Sequence, residues 1–423
     1  MKIMVILIYF YEKDIPHSFR KGDLVILYPE SENGYDSLTQ HILKGSIKEL
    51  HHNRLIVSLF NKQTDYTFIR EYNYWAIEPD IFERNYWSKI SCLFNFLKCD
   101  PRRSDLLLGV EEPLTENNFD FEDVNLTPHQ NICITRALNA RDYFLLQGPP
   151  GTGKTSTFLV NYIGELVEQT TDKIIVLAFT NKAVEKICQS LKEPRSRRPI
   201  DYIRLGSKHV EDDYLFAELI EDDDNPDNWQ MLLEQNRVLV TTVATFQNNL
   251  LLLKQFIDFK NVIIDEASQL TEADLAGILA TFEKFVLVGD HKQLPAIVTQ
   301  HEKTCKVHQD ALIEYGINDL RTSMFERLMI NASRRGWHHS YGQLTDHYRM
   351  HEHIASLITS HYNEPLVAVL PEQKTLISLI PYPPSHPYNL SQRVELFSSK
   401  HPLIQPPARI DKKQWWPLSS HKL

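Results

Sequence analysis

Short apolar runs alternate with amphipathic stretches through the middle of the chain. The runs with strand character are 143–146, 174–178, 202–205, 238–242, 262–264 and 285–288. Stretches with helical spacing lie between several of these runs. Strands that alternate with helices along a chain are typical of a parallel sheet wound on both faces. Residues 125–335 are therefore predicted to form an α/β lobe around such a sheet.

The first part of the chain has a different pattern. Four short runs between residues 19 and 79 alternate apolar and polar positions, and they lie at 23–28, 43–47, 54–59 and 67–69. Closely spaced short strands indicate a small β-barrel, so residues 1–80 are predicted to be an accessory β-barrel domain. From Ile81 to Leu97 the apolar residues recur at helical spacing, and residues 111–124 are acidic. Residues 81–124 are predicted to be a helical stalk and linker.

Composition excludes some classes of protein. The chain has 423 residues and a net charge of −10, so it is not a polybasic nucleic-acid binder as a whole. A local phosphate-binding groove stays open, because affinity follows the contacted patch. The five cysteines form no C-x-x-C pair, which favours free thiols in a reducing compartment. No apolar run has the length of a membrane span, so we expect an intracellular, soluble protein, cytoplasmic or nuclear, without a membrane partner.

The clearest chemical signal is a glycine-rich segment that follows the apolar run at 143–146. It fits the pattern G-x-x-x-x-G-K-[ST] and is followed by an amphipathic stretch that is predicted to be a helix. In this strand–loop–helix context, glycines let the backbone surround phosphates at a helix N-terminus. Lys154 should reach the β- and γ-phosphates of ATP, and Thr155 should place its hydroxyl on Mg²⁺. The predicted nucleotide-binding residues here are Gly148, Pro149, Pro150, Gly151, Thr152, Gly153, Lys154, Thr155 and Ser156.

Two further apolar runs end in polar residues that suit the same site. Asp265 and Glu266 follow the run 262–264, and ligands of open α/β sheets lie at the carboxyl ends of strands. We expect Asp265 to join the Mg²⁺ shell and Glu266 to orient the attacking water. Gln293 follows the run 285–288 and could hydrogen-bond the γ-phosphate or its water.

These motifs together resemble one known group of proteins. The glycine-rich loop, Asp265-Glu266-Ala267, Gly289-Asp290-x-x-Gln293-Leu294-Pro295 and Tyr348-Arg349-Met350-His351 occur in the order found in superfamily 1 helicases. The subgroup is the one that contains senataxin, the nonsense-mediated-decay helicase and the replication helicase–nuclease. Asn125-Leu126-Thr127 with Gln130, Phe179 to Ala183, and Thr241 to Thr245 also resemble motifs of this group. The resemblance implies a P-loop ATPase domain of the AAA type with a RecA-like lobe.

Further roles follow from the resemblance alone. Gln130 would bind adenine, Tyr348 would stack on it, and Arg349 would act as an arginine finger from a second motor lobe. Contacts to the sugar-phosphate backbone of a single strand are implied for Thr180, Asn181, Thr242 and Thr245. An alternative stays open for the threonines, because threonine is also common at strand ends for structural reasons.

Two departures from the group's pattern are visible. Asp346-His347 stands where the group has glutamine before Tyr-Arg, and the one Thr-Arg-Ala, at 135–137, precedes the glycine-rich loop. No glycine occurs after Gly342, and the rest of the chain is rich in proline and shorter than a typical domain. Residues 336–423 are therefore predicted to hold only the start of a second RecA-like lobe and a poorly ordered tail.

The predicted activity is that of an ATP-dependent helicase or translocase on single-stranded DNA or RNA, with ATP and Mg²⁺ as cofactors. Because the late motifs are missing, unwinding by this chain is expected to be impaired. A protein partner could supply or replace the second lobe. The alternative function is a nucleotide-dependent scaffold that binds nucleic acid without unwinding it.

Overall fold

A computed structural model describes residues 5–9, 19–29, 42–51, 54–60, 72, 74–80, 83–193, 199–206, 216 and 226–374. The chain divides into two compact units, of which one ends at Tyr86 and the other begins at Trp87. The predicted strand at 67–69 and the proline-rich tail from residue 375 onward lie outside the described residues.

The first unit contains a five-stranded antiparallel sheet with the order β1-β4-β3-β2-β5. Its strands are β1 (Val5–Tyr9), β2 (Leu24–Pro29), β3 (Leu43–Leu50), β4 (Arg54–Leu59) and β5 (Trp75–Pro79). Alternate residues point to one face, where Val25, Leu27, Val57 and Trp75 are buried together. The first unit therefore contains a small antiparallel sheet, in which β1 and β5 are the edge strands of the described pairings. Its closure into an accessory β-barrel domain stays a prediction.

The second unit contains a seven-stranded sheet in which every neighbouring pair is parallel, with the order β12-β6-β11-β10-β7-β9-β8. Its strands are β6 (Tyr143–Gln147), β7 (Lys173–Ala178), β8 (Ile203–Arg204), β9 (Val238–Thr242), β10 (Phe259–Asp265), β11 (Lys284–Gly289) and β12 (Tyr341–Gln343). The strands from β6 to β11 lie where the apolar runs predicted them. The α/β fold class with a parallel sheet is confirmed.

Helices connect and flank these strands. The helices of the described residues are α1 (Glu83–Leu97), α2 (Pro101–Leu108), α3 (Pro128–Asn139), α4 (Val160–Gln169), α5 (Asn181–Lys192), α6 (Pro226–Gln235), α7 (Val243–Phe256), α8 (Glu272–Leu279), α9 (Glu302–Cys305), α10 (Asp310–Glu314), α11 (Met324–Arg335) and α12 (Glu352–Thr359). A π-helical segment, Lys154–Leu159, leads into α4, and short 3-10 turns occupy Ala267–Gln269 and Pro371–Gln373. None of the helices in the described part of the chain combines the length and apolarity that a membrane crossing requires.

Both faces of the large sheet are buried. Tyr143 and Leu145 of β6 pack into one apolar cluster, whereas Phe144 and Leu146 pack into a second cluster on the opposite face. Because neighbouring residues of a strand point to opposite faces, helices must cover both sides, and the strands read as continuous apolar runs.

The register of the sheet places the ends of its strands in one row. Asp265 of β10 lies opposite Ala178 of β7, and Ala178 lies opposite Thr242 of β9. On the other side of β10, Gly289 of β11 lies opposite Gln147 of β6. The residues that follow these strands therefore meet along one edge of the sheet.

The chain beyond α11 returns to this sheet. β12 pairs with β6, although it lies after residue 335, where the first lobe is predicted to end. A separate pair of parallel strands follows, β13 (Asp346–His347) with β14 (Val367–Ala368), and α12 lies between them in sequence. The domain bounds remain predictions.

Within the second unit, α1 packs closely on α8. A Cβ added to Gly277 of α8 would lie 1.7 Å from the carbonyl oxygen of Cys92 in α1, so this contact requires glycine. The Lys89 ammonium lies 3.1 Å from the Asp274 carboxylate beside it.

A buried ion pair fixes α11 against its neighbours. Arg327 Nη2 donates to Glu272 Oε2 at 3.0 Å and to the Leu107 carbonyl at 2.8 Å, and Nη1 donates to the Leu108 carbonyl at 3.0 Å. The arginine therefore joins α11, α8 and the end of α2 with all of its charge compensated.

Replacing this arginine should destabilise the second unit. Arg327→Leu would leave Glu272 and two carbonyls without their donor, and we expect a loss of about 3–5 kcal/mol in the free energy of unfolding by urea. Arg334→Leu, an exposed position on the same helix, is the matched control and should change it by less than about 0.5 kcal/mol. The double variant Glu272→Leu/Arg327→Leu should recover part of the loss; equal stability of Arg327→Leu and the wild type would contradict this role.

Candidate nucleotide-binding site

The glycine-rich loop connects the end of β6 to the π-helical segment that begins at Lys154. Its first residue is held to the neighbouring strand, because the Gly148 amide donates to the Gly289 carbonyl at 2.9 Å. Gly151 and Gly153 have φ values of 84° and 81°, which are strained for any residue with a side chain. The loop thus wraps around a cavity with its backbone facing inward, as phosphate binding requires.

Lys154 pairs with one of the two acids that follow β10. Its Nζ lies 3.1 Å from Glu266 Oε1. Glu266 has a φ of 56°, and it is the one non-glycine residue with positive φ among those that the structure describes. Such a conformation costs about 1–3 kcal/mol and persists where the surrounding structure imposes it, often at functional sites. The turn after β10 therefore holds this carboxylate at the mouth of the loop.

Thr155 pairs with the other acid. Its Oγ1 donates to Asp265 Oδ2 at 2.8 Å, and both side chains are buried. Burial and the neighbouring Glu266 charge raise the pKa of Asp265, while Lys154, the Thr155 hydroxyl and the Glu266 amide act in the opposite direction. A hydroxyl and a carboxylate in contact form an all-oxygen donor set, which is the chemistry that Mg²⁺ prefers. These two residues fit the predicted magnesium site.

Gln130 lies on the other side of the loop. It is the third residue of α3 and completes a capping box, in which its Oε1 accepts from the Thr127 amide at 3.1 Å. Its Nε2 donates to the Thr152 carbonyl at 3.4 Å, and the side chain is buried. The amide therefore has a fixed position at the wall of the cavity, with a donor and an acceptor that could recognise a base.

The segment that carries Tyr348 and Arg349 lies directly over the loop. The Tyr348 amide donates to the Gly151 carbonyl at 3.0 Å, and a Cβ on Gly151 would come within 2.5 Å of Arg349 Cβ. Glycine is thus required at this crossing. Arg349 is exposed, and within the described ranges no carboxylate lies at ion-pair distance from its guanidinium. Arg349 lines the cavity beside the glycine-rich loop, as Glu266 does.

Gln293 is tethered to a buried acid that was not predicted as a site residue. Its Nε2 donates to Asp290 Oδ2 at 2.7 Å, and Asp290 also accepts from Gln147 Nε2 at 3.2 Å. Asp290 immediately follows β11, and Gln147 immediately precedes the glycine-rich loop. The motif Gly289-Asp290-x-x-Gln293 contained this signal, because a carboxylate three residues before an amide can bind it across a turn.

These elements enclose a cavity of about 660 Å³. It is lined by Asn125, Leu126, Gln130, Pro149, Pro150, Gly151, Thr152, Gly153, Lys154, Thr155, Ser156, Thr157, Lys186, Glu266, Gln293, Tyr348 and Arg349. Asp265 lies behind the lining, in contact with Thr155. Sequence reasoning missed Thr157 and Lys186. Lys186 is an exposed lysine in α5, and nothing in its sequence neighbourhood distinguishes it from an ordinary surface residue.

The residues with implied nucleic-acid contacts lie at the same edge of the sheet, after β7 and β9. Thr180 caps α5, since its hydroxyl accepts from the Ala183 amide at 3.1 Å. Thr242 caps α7 in the same way, and its hydroxyl bonds both the amide and the hydroxyl of Thr245. Both threonines therefore have a structural role as the N-terminal caps of their helices. Contacts of Thr180, Asn181, Thr242 and Thr245 with nucleic acid stay predictions.

Most of the nucleotide site falls inside a recognised domain, whereas Tyr348 and Arg349 lie beyond it. The family model described as "AAA domain" matches residues 125–223 and 215–301. These residues contain the glycine-rich loop, both acids after β10 and Gln293.

Similar proteins are known from several organisms. The chain is 29% identical over 241 residues to the DNA replication ATP-dependent helicase/nuclease DNA2 of Gallus gallus, which covers 55% of this chain and 21% of that protein. It is 26% identical over 313 residues to the DNA replication ATP-dependent helicase/nuclease JHS1 of Arabidopsis thaliana, which covers 68% of this chain and 22% of that protein. The aligned region thus spans about a fifth of the length of these relatives.

Solved structures give a weaker similarity. The crystal structure of the arterivirus nonstructural protein 10 helicase superposes with a TM-score of 0.35 and 11% identity, over 86% of this chain and 58% of that one. The AAA domain, the relatives and the ordered motifs support the resemblance of this chain to the superfamily 1 helicases, in the group that contains senataxin, the nonsense-mediated-decay helicase and the replication helicase–nuclease.

Proposed function

We propose that this chain binds and hydrolyses ATP in the cavity between β6 and β10, and that hydrolysis drives movement along single-stranded DNA or RNA. The observation that carries the proposal is a double pairing. Both side chains at the end of the glycine-rich loop, Lys154 and Thr155, contact the two consecutive acids at the end of β10. A cation, a hydroxyl and two carboxylates in contact are the groups that phosphoanhydride hydrolysis needs.

The contacts of Lys154 and Glu266 suggest how ATP would reorganise the site. Lys154 neutralises Glu266 at 3.1 Å. The β- and γ-phosphates of ATP carry more negative charge than this carboxylate, and they would lie along the loop. Lys154 would therefore leave Glu266 and bind phosphate oxygens instead. Glu266 would then be free to accept a proton from the attacking water and to orient it. Binding of the substrate thus prepares the base.

The neighbouring pair would undergo a similar exchange. Thr155 and Asp265 would hold Mg²⁺, which when bound would supply positive charge that stabilises the triphosphate. Asp265 is buried, and its pKa is raised. Because a nearby cation favours the charged form of a carboxyl group, loading the site would favour the deprotonated acid.

Two further residues would act on the γ-phosphate. Arg349 lies over Gly151, lines the cavity and makes no ion pair with the described residues, so it suits an arginine finger. Gln293 lines the same cavity and could donate to the γ-phosphate. Gln130 and Tyr348 would hold the adenine on the side of α3.

Single-stranded nucleic acid would cross the ends of β7 and β9. Thr180 and Thr242 stand at this edge, and Phe179 beside them is 42% exposed. An exposed aromatic ring at a strand end is suited to base stacking, which supports grip without base readout. The two relatives described above carry names that refer to DNA replication, whereas a further relative from Saccharomyces cerevisiae is named a putative ATP-dependent RNA helicase, so DNA and RNA are both substrates to test. The choice between DNA and RNA, the impaired unwinding, the partner protein and the scaffold alternative all stay predictions.

Lys154→Ala tests the site directly. The variant removes the cation that would contact the phosphates, so we expect ATP affinity to fall by about 100-fold in titrations with a fluorescent ATP analogue. Lys303→Ala, an exposed lysine outside the cavity, is the control and should bind as the wild type does. Unchanged ATP affinity in Lys154→Ala would refute the assignment of this loop.

Glu266→Gln separates binding from hydrolysis. The amide keeps the shape of the side chain but cannot accept the proton, so kcat of the ATPase should fall by about 10²–10⁴-fold while ATP still binds. Glu302→Gln, which removes an acid remote from the cavity, should leave kcat unchanged. Full turnover by Glu266→Gln would assign the base to another residue.

Phe179→Ala tests the path of the strand. If the ring stacks on a base, the concentration of oligo-dT or oligo-U that half-saturates ATPase stimulation should rise about 5- to 100-fold, with KM for ATP unchanged. Phe94→Ala, an exposed phenylalanine of α1, is the matched control. Equal stimulation of Phe179→Ala and the wild type would place the strand elsewhere.

A further inference from the structure

Asp290 is the centre of a hydrogen-bond network that extends beyond the nucleotide cavity. The acid is 1% exposed and accepts from four donors of the described chain. Gln147 Nε2 and the Lys292 amide bond Oδ1, each at 3.2 Å. Gln293 Nε2 at 2.7 Å and the Tyr362 hydroxyl at 2.9 Å share Oδ2. A buried carboxylate with this many donors is fixed in place.

Of these donors, Tyr362 alone comes from the chain beyond β12. Burial and the Asp290 charge raise the pKa of its hydroxyl, so the group stays protonated and donates. The segment around it is held to the large sheet, because Gln343 Nε2 donates to the Glu364 carbonyl at 2.8 Å and its Oε1 accepts from the Glu364 amide at 3.3 Å. Gln343 lies opposite Gln147 in the sheet. The hydrogen bonds between Gln343 and Glu364 thus hold the segment that places Tyr362 beside Asp290.

Gln293, in contrast, has little else to hold it. It is exposed, and it lines the cavity at the position where we place the γ-phosphate. The described contacts of its side chain run to Asp290. Since Tyr362 and Gln293 share one carboxylate oxygen, the tyrosine hydroxyl constrains where that oxygen lies and therefore where the glutamine amide can reach.

We propose that Tyr362 is a positioning residue for the γ-phosphate contact, which acts on Gln293 through Asp290. The proposal rests on the ATP-binding function proposed above and extends it. Tyr362 itself is not among the residues that line the cavity, and its hydroxyl bonds Asp290, which is not a predicted metal ligand.

The placement of α12 gives this network a consequence for the motor. Arg349 precedes α12 and lies over Gly151, whereas Tyr362 follows α12 and bonds Asp290. One short helix therefore connects the arginine finger to the residue that positions Gln293. A displacement of α12 would move both γ-phosphate contacts together, which couples nucleotide state to the part of the chain beyond β12.

Tyr362→Phe isolates the hydroxyl, because the ring and its packing are kept. Gln293 would contact only the γ-phosphate, which ADP lacks. The affinity for ATPγS should therefore fall about 3- to 10-fold, while the affinity for ADP stays unchanged. Both are measured with fluorescent analogues in the full chain. Tyr341→Phe removes a hydroxyl that bonds His338 Nδ1 at 2.8 Å, outside the site, and should change neither affinity.

A double variant distinguishes positioning from a general structural effect. If Tyr362 acts through Gln293, Tyr362→Phe should have no additional effect on ATPγS affinity in the Gln293→Ala background. Equal losses for ADP and ATPγS, additive losses in the double variant, or wild-type affinities in Tyr362→Phe would each overturn the proposal. If the wild type bound neither nucleotide, the proposed ATP site itself would fail, and the inference with it.

Discussion

The parallel alignment of β6, β10 and β11 is the constraint on which the site depends. Parallel strands in register end at one edge, so the glycine-rich loop after β6, the acids after β10 and Asp290 after β11 are brought together by the register of the sheet. The apolar strands between them are buried on both faces and leave little freedom for the edge to shift. The backbone positions from which these loops start are therefore fixed by the core of the sheet.

Much of this arrangement follows from local sequence. The strands from β6 to β11 are predictable because fully buried strands need continuous apolar runs, and the loop is predictable because phosphate binding needs glycine and lysine at fixed spacing. Lys154, Thr155, Asp265 and Glu266 converge because the order of strands and loops allows few other arrangements. For these four residues, the sequence motifs and the order of the strands are sufficient to predict that their side chains lie close together.

The rest depends on contacts between segments distant in sequence. The bond from Tyr362 to Asp290 spans 72 positions, and no local pattern records it. β12 joins the large sheet, although a boundary was predicted before it, because its three residues are too few to show a strand period. The left-handed backbone conformation of Glu266 could not be predicted from the sequence either, since glutamate has no preference for that conformation. Lys186 reaches the cavity only through the placement of α5.

The site pairs a cation with one acid and a hydroxyl with the other, and the proposed binding of MgATP would replace both pairings. The most direct measurement is a calorimetric titration of the wild-type chain with ATP, in Mg²⁺ and again in excess EDTA. We predict one ATP per chain and markedly tighter binding in Mg²⁺. The absence of binding, or an affinity that does not depend on the ion, would contradict the account.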